Sequence, residues 1–558
     1  MVTTRLWHGV TTLGALLVTA IPVNALEMFV GSPGNGACTH ATIQDAVDAA
    51  ALSLGSDVIY VAKDQTYSNQ AVIIDGLIAP SGDDFGLTII GGVADCSGAP
   101  QAGQFTRIEG GALPVFSIRN NSAVLLSHLE LQESSSAGIE VIASTVRVET
   151  VRSRGNGRGI DVSSGSSVTI SDSELTENET NGPGGGLRCS SSQIGLVNTA
   201  VSRNTADEGG GLWIGNTCTV ELGGEVLISR NTAEDFGGGI FVSSSSVVDL
   251  ANPLVGTPRT AILIDRNTAL LSGGGMYLQF GAFFGVDNTR IVDNDALELN
   301  GGGAYLTGGS ILRLARGEEC TGRCAEISGN SIGSQTSGSA VYASNSEVYL
   351  FGGAFSGNRN TGNTAYPLFL TGSFCWFESV EVFGNRGPAV FNASGGSDLL
   401  LAFVSGANNT TASEAGALVV RADGSDADVY SSAFQNTSGF EVSGGGTIDV
   451  DCVMSDSFAG ATTAEFSIID DPEFADPAGG DLGLAPASTA VDYCDDQAYS
   501  PLFRDLQGEQ RGHDHGDNLN GSPGVPFGTY DLGADEVLWF FKDGFESGNP
   551  GAWSATSG

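Results

Sequence analysis

The sequence predicts an all-β solenoid, a parallel β-helix closed at its N-terminal end by a short helix. Three observations predict it: a phrase that recurs about every 27 residues, apolar residues that alternate over only three to five positions, and 81 Gly among 558 residues, many in triplets that break any helical period. Charged residues are 16% of the chain and hydrophobic ones 41%, enough apolar material for a large buried core. With 23 Lys+Arg against 64 Asp+Glu the formal net charge is -41, which repels a phosphate backbone and excludes a nucleic-acid binder. Lysine occurs only at Lys63 and Lys542, so few amines are at hand to act as a base.

At the N-terminus, residues 1–25 read as a secretory signal peptide: Arg5 supplies the positive start, Leu13 to Ile21 the apolar core, and Val23-Asn24-Ala25 a small-residue cleavage site. Export is expected. No later apolar stretch is long enough for a membrane helix. Residues 26–100 are expected to form the cap and first strands. Within them Thr42-Ile-Gln-Asp-Ala-Val-Asp-Ala-Ala has apolar residues at 43, 46, 47 and 50, a helical spacing behind a Thr N-cap, and Asp57-Val-Ile-Tyr-Val61 reads as a strand.

Residues 101–465 are expected to be the coils. Val201-Ser-Arg-Asn204 with Gly209-Gly-Gly-Leu-Trp-Ile214 is repeated as Ile228-Ser-Arg-Asn231 with Gly237-Gly-Gly-Ile-Phe-Val242, then around Asn267 and Asn294. Further anchors at Asn178, Asn330, Asn358 and Asn385 give steps of 26, 27, 36, 27, 36, 28 and 27 residues, the two long ones carrying loop insertions. At each anchor Asn is expected to take the left-handed turn conformation and to hydrogen-bond along the stack, while the Gly triplet supplies positive φ and close approach. A unit this short cannot bury its own apolar face, so it must stack on its neighbours.

Such a unit resembles one coil of the right-handed parallel β-helices of the pectate-lyase-like superfamily. The pairing of Gly-Gly-Gly-apolar with apolar-x-x-Asn, including Phe355-Ser-Gly-Asn358, resembles the repeats of the polymorphic outer membrane proteins of chlamydiae over roughly residues 170–400. That resemblance implies a secreted bacterial protein at the outer cell surface with adhesive use. Those proteins end in a transmembrane β-barrel, for which this chain has no room after its last coils. Residues 466–536 resemble the closing segments of exported β-helix proteins, and 537–558 a sorting or anchoring tail.

Nine Cys suit an oxidising compartment. Connectivity is open from sequence, but proximity pairs Cys38 with Cys96, Cys189 with Cys218, Cys320 with Cys324 and Cys452 with Cys494, leaving Cys375 unpaired. Only Cys320 and Cys324 are close enough in sequence to suggest zinc, which argues against it.

Two sets of residues carry functional expectations. Aligned on the Gly triplets, Trp213, Phe241, Tyr277, Tyr305, Tyr342, Phe369 and Phe391 fall in one column. Their neighbours are apolar, so alternation sends the neighbours into the core and the aromatics outward, as a stripe about 30 Å long suited to an extended polymer. The competing expectations are rings covered by insertions or stacked on one another. Secondly, Asp207, Glu208, Glu234 and Asp235 occupy the same loop in successive coils, where gathered carboxylates would hold Ca²⁺, the one cofactor the pattern admits. Arg203, Arg230 and Arg266 precede the anchors and suit a base or a surface ion-pair network, and His513 and His515 form the only His pair. The ordered Asn-Thr-Asp, Asp-Asp and Gly-His-Gly series of pectin-hydrolysing β-helices is missing. The expectation is a secreted, non-enzymatic protein presenting an elongated face to a polysaccharide or cell-surface ligand. A polysaccharide lyase or glycoside hydrolase of the same fold is the alternative.

Overall fold

The computed structural model describes residues 25–535 apart from 33–36, 54, 80–84, 97–98, 251–260, 318–319, 321–322, 334–336, 410–419, 436–440, 444, 486, 492, 494–504, 507–510 and 512–529. The body of the expected signal peptide, the tail at 537–558, Cys494, His513 and His515 therefore lie outside the described residues.

The chain winds so that each coil lays its strands parallel on those of the coil before. Leu212–Gly215 pairs with Leu187–Ser190, Thr219–Gly223 with Gln193–Val197, and within Glu225–Ser229 Leu227 faces Ala200. Among the described residues these ladders make a long sheet of 29 strands, a second of 14 and a third of 6. The long sheet is two ladders meeting at a bend, where each coil holds one left-handed residue, such as Thr150 (φ 52), Asp172 (φ 50) and Asn198 (φ 47). Later coils run through it as single ten-residue strands at Glu347–Ser356, Phe374–Phe383 and Asp398–Ala407.

Because strands are stacked in register, inward residues form columns: Val168, Ile194, Val220, Val248, Phe284 and Leu312 follow one another. All are at most 2% exposed and belong to one apolar cluster that runs from Met28 to Val453. Each such side chain contributes about 1.5–3 kcal/mol. The cap forms as its spacing predicts. Helix α1 (Ile43–Ala50) buries Ile43, Ala46, Val47 and Ala50, and the Thr42 hydroxyl accepts from the Asp45 amide at 3.1 Å.

The anchor Asn residues do not take the left-handed conformation. The residue before each one does: Glu177 (φ 58), Arg203 (φ 55), Arg230 (φ 55), Arg266 (φ 51) and Asp293 (φ 54), then Gly329, Gly357 and Gly384. This turns the Asn side chain inward, where it is fully buried and forms a continuous ladder. The amide nitrogen and Nδ2 of Asn204 both donate to Asn231 Oδ1 at 3.0 Å, and Nδ2 also donates to the Leu175 carbonyl at 2.9 Å. The pattern repeats through every anchor and extends to Asn156 and Asn409. A second ladder of Ser hydroxyls lines another corner: Ser122, Ser144 and Ser166 amides each donate to the Ser Oγ of the next coil at 3.2 Å. The Gly triplets divide their work. Gly209 needs φ +61, while a Cβ on Gly211 would lie 2.5 Å from the Gly239 carbonyl oxygen and 2.9 Å from Asn231 Nδ2.

Three disulfides join Cys38 to Cys96, Cys189 to Cys218 and Cys320 to Cys324, with Cα separations of 5.0, 6.1 and 6.4 Å. Cys452 is also disulfide-bonded, and Cys375 is free and buried. After the last coil an antiparallel pair, Phe474–Asp476 with Asp481–Leu484, folds back on the outside of the long sheet and buries Phe474, Leu482 and Leu484 against Ala407, Ala433 and Met454. Arg323 fastens it, pairing with Glu381 and donating to the Gly480 carbonyl.

Candidate functional site

Six of the seven expected aromatics form one outward column on the second sheet, because parallel pairing sets Trp213 on Phe241, Phe241 on Tyr277, Tyr277 on Tyr305, Tyr305 on Tyr342 and Tyr342 on Phe369. Their flanks, Leu212 and Ile214 or Met276 and Leu278, are in the core. Phe391 is the exception. It pairs with Leu368, is fully buried, and packs on Phe355 at 6.0 Å, while Asn392 takes the column position beside Phe369. Arg386-Gly-Pro-Ala-Val leads from Asn385 into the strand by a turn shorter than those of the other coils in the column, and a one-residue shift exchanges the two faces of a strand.

Within the column the rings stack face to face, with centroids 6.3, 5.5, 4.8, 5.0 and 5.3 Å apart and planes 4–8° from parallel. Their faces therefore meet each other, and their edges meet solvent. Phe241 is 2% and Tyr277 9% exposed, with Phe236 against Tyr277 at 4.7 Å, whereas Trp213, Tyr305, Tyr342 and Phe369 are half-buried. Arg188 lies 5.6 Å over the free face of Trp213 and is paired through Asp161 to Arg158. Burial pushes the Tyr277 hydroxyl up to about 12 and raises those of Tyr305 and Tyr342, so all three stay protonated donors at neutral pH. Beside the column, on the same face two residues along each strand, runs a line of hydroxyls: Thr307, Ser344 and Thr371 pair in register.

The four carboxylates expected to gather do not. Register shifts at their loop, so that Glu208 faces Phe236, and Glu208 accepts instead from Trp213 Nε1 at 3.1 Å. Glu234 and Asp235 point into solvent. Among the described residues no three His, Cys, Asp or Glu side chains come together to hold a metal ion. Arg203 lies 4.0 Å from Glu177 and Arg266 3.5 Å from Asp265, both at the surface.

A second aromatic group was not anticipated. On the outer face of the long sheet Tyr349, Phe351, Phe374 and Trp376 meet at 5.1–6.4 Å with planes tilted by 42–84°. The signal was there in Tyr349-x-Phe351 and Phe374-x-Trp376, two alternating pairs on adjacent coils, but the repeat around the Gly triplets does not include this strand.

Residues 114–311 match the family model described as a right handed beta helix region. With the parallel ladders this makes the chain a right-handed parallel β-helix. A search of curated proteins finds no match. No helix among the described residues is long and apolar enough to cross a membrane.

Proposed function

We propose that this is an exported, non-enzymatic β-helix protein of the bacterial outer surface, in the manner of the polymorphic outer membrane proteins its repeats resemble. Its second sheet presents an elongated face to a polysaccharide. The observation that carries this reading is the pairing of an aromatic column with a parallel hydroxyl column on one outward face. Since the rings stack on one another, a sugar chain meets ring edges, the phenol hydroxyls of Tyr305 and Tyr342, and Thr307, Ser344 and Thr371; recognition is by hydrogen bonds along the axis, not by sugar rings lying on bare aromatic faces. The spacing suits a polymer, because over the coils of Thr307, Ser344 and Thr371 a hydroxyl recurs about every 4.8 Å.

The test is binding of the full chain to a panel of uronate and neutral polysaccharides, comparing wild type with the double variant Tyr305→Phe/Tyr342→Phe. The variant keeps the stack and removes two donors. Binding should fall about tenfold, the equivalent of one or two hydrogen bonds. Equal binding by the variant, or no binding by either protein, defeats the reading. The appearance of new unsaturated or reducing ends in the same incubations with Ca²⁺ replaces it with a lyase or hydrolase.

A further inference from the structure

We propose that the outer face of the long sheet formed by Tyr349, Phe374 and Trp376 together with Asp398, Asp428 and Asp449 is a docking site for an extended polypeptide segment that carries lysine or arginine beside apolar side chains. This face belongs to a different sheet from the aromatic column, and the proposal stands or falls independently of glycan binding.

Register places the two halves side by side. Tyr349, Trp376, Leu400, Asp428 and Asp449 are successive partners in one outward column, and Phe374, Asp398 and Asp426 in the next. The aromatic half differs from the stacked column in the quality that matters for binding. Its rings are tilted, Tyr349 against Phe374 by 53° and Phe351 against Trp376 by 84°, so ring faces are not all turned to one another. Tyr349, Phe374 and Trp376 are half-buried, and the Tyr349 hydroxyl donates to Glu347 at 2.7 Å, which fixes one ring.

The acidic half lacks compensation. Among the described residues the ion pairs on this ladder stop at Arg313 with Asp287, and none of their basic side chains pairs with Asp398, Asp426, Asp428 or Asp449. Asp426 and Asp449 accept only hydroxyl bonds, from Thr447 at 2.6 Å and Thr463 at 2.8 Å. Burial, then the charges of Asp449, Asp426 and Asp398, raise the carboxyl of Asp428, as expected of anions crowded without a counter-charge.

The arrangement selects its occupant. Among the described residues no three acidic groups converge on a point, so a single metal ion is not what they suit. They are spread about 4.8 Å apart across coils and about 7 Å apart along a strand, the spacing of side chains on an extended chain. Charge complementarity demands cations, the rings accept lysine or arginine by cation-π contact, and Leu400 between rings and acids asks for an apolar neighbour. A polypeptide carries cationic and apolar side chains together. An aminoglycan carries no apolar side chain.

The probe is an unstructured peptide of about a dozen residues with alternating lysine and leucine-serine pairs, titrated into the full chain at low and at physiological salt, beside a glutamate-for-lysine peptide and a glucosamine oligomer. The lysine peptide is expected to bind. Asp428→Asn/Asp449→Asn should weaken it about tenfold and flatten its salt dependence, and Trp376→Ser should weaken it without altering that dependence. Glu221→Gln/Glu225→Gln, on distant coils, should leave it unchanged, with far-ultraviolet spectra certifying that each variant is folded. Equal loss from the distant pair reduces the effect to the net charge of the chain and overturns the proposal. Preferential binding of the glucosamine oligomer, or no binding of the lysine peptide, overturns it as well.

Discussion

A single buried amide such as Asn267 serves three coils at once. It donates to the Ile228 carbonyl at 2.9 Å and to Asn294 Oδ1 at 3.0 Å, and its own Oδ1 accepts from the Asn231 amide and Nδ2. Asn267→Ala leaves one or two buried polar groups unpaired and should lower stability by about 3 kcal/mol, at about 1–3 kcal/mol for each group, as read from urea unfolding. Asn267→Asp should be nearly as harmful, since a carboxylate cannot donate to Ile228 and would be buried without a cation. The anchor's importance was legible in the recurrence of Asn, but its conformation was not. Two neighbouring residues shared the work, and only coordinates show that Arg203 or Arg230 bears the positive φ while Asn faces inward. Cys375 is a second residue-level case: burial pushes its thiol up, so a thiolate-directed alkylating reagent should label it only once the chain is unfolded, and rapid labelling of the native protein would refute its placement.

Among elements, the aromatic column turns ring faces to one another and ring edges outward. Each inner ring has two stacked partners, so a double-mutant cycle of Tyr305→Ala with Tyr342→Ala should return about 0.5–1.5 kcal/mol for that pair, and one with Tyr277→Ala a similar amount. The hydroxyls add a pH dependence of known sign. Tyr277 titrates at about 12 in the folded chain against an ordinary 10.0, so its contribution is complete below pH 10 and is lost as pH rises toward 12, where the unfolded state gives up its proton first. Tyr277→Phe should therefore shift the alkaline fall in melting temperature to higher pH; an unchanged alkaline limb would show that Tyr277 is not buried as described. Four column positions, Trp213, Phe241, Tyr277 and Tyr305, were readable from the Gly triplets before them, and Tyr342 and Phe369 from the spacing of the Asn anchors. Phe391 was not, because its coil enters the strand through a shorter turn and alternation then reverses the face.

For the whole molecule, stacking predicts modularity. Deleting residues 267–293 joins Arg266 to Asn294, so Asn294 inherits the bonds of Asn267 and no cysteine is lost. The shortened chain should keep its β-sheet spectrum and unfold cooperatively, and loss of cooperativity would contradict nearest-neighbour stacking. The repeat, the alternation and the cap helix were determined by the sequence alone, because each is a local pattern of residue spacing, whereas the cysteine pairs were proposed from proximity and fixed only by the fold. What only the tertiary structure decided is how separate coils face one another: the bend that makes one sheet of two ladders, the self-stacking of the rings, the dispersal of Asp207, Glu208, Glu234 and Asp235, and the return of Phe474–Asp476 onto the outer sheet. Spacing along a chain records which residues share a face, but whether neighbours on that face touch, spread or are covered depends on strand register and on segments distant in sequence, and neither is a local property.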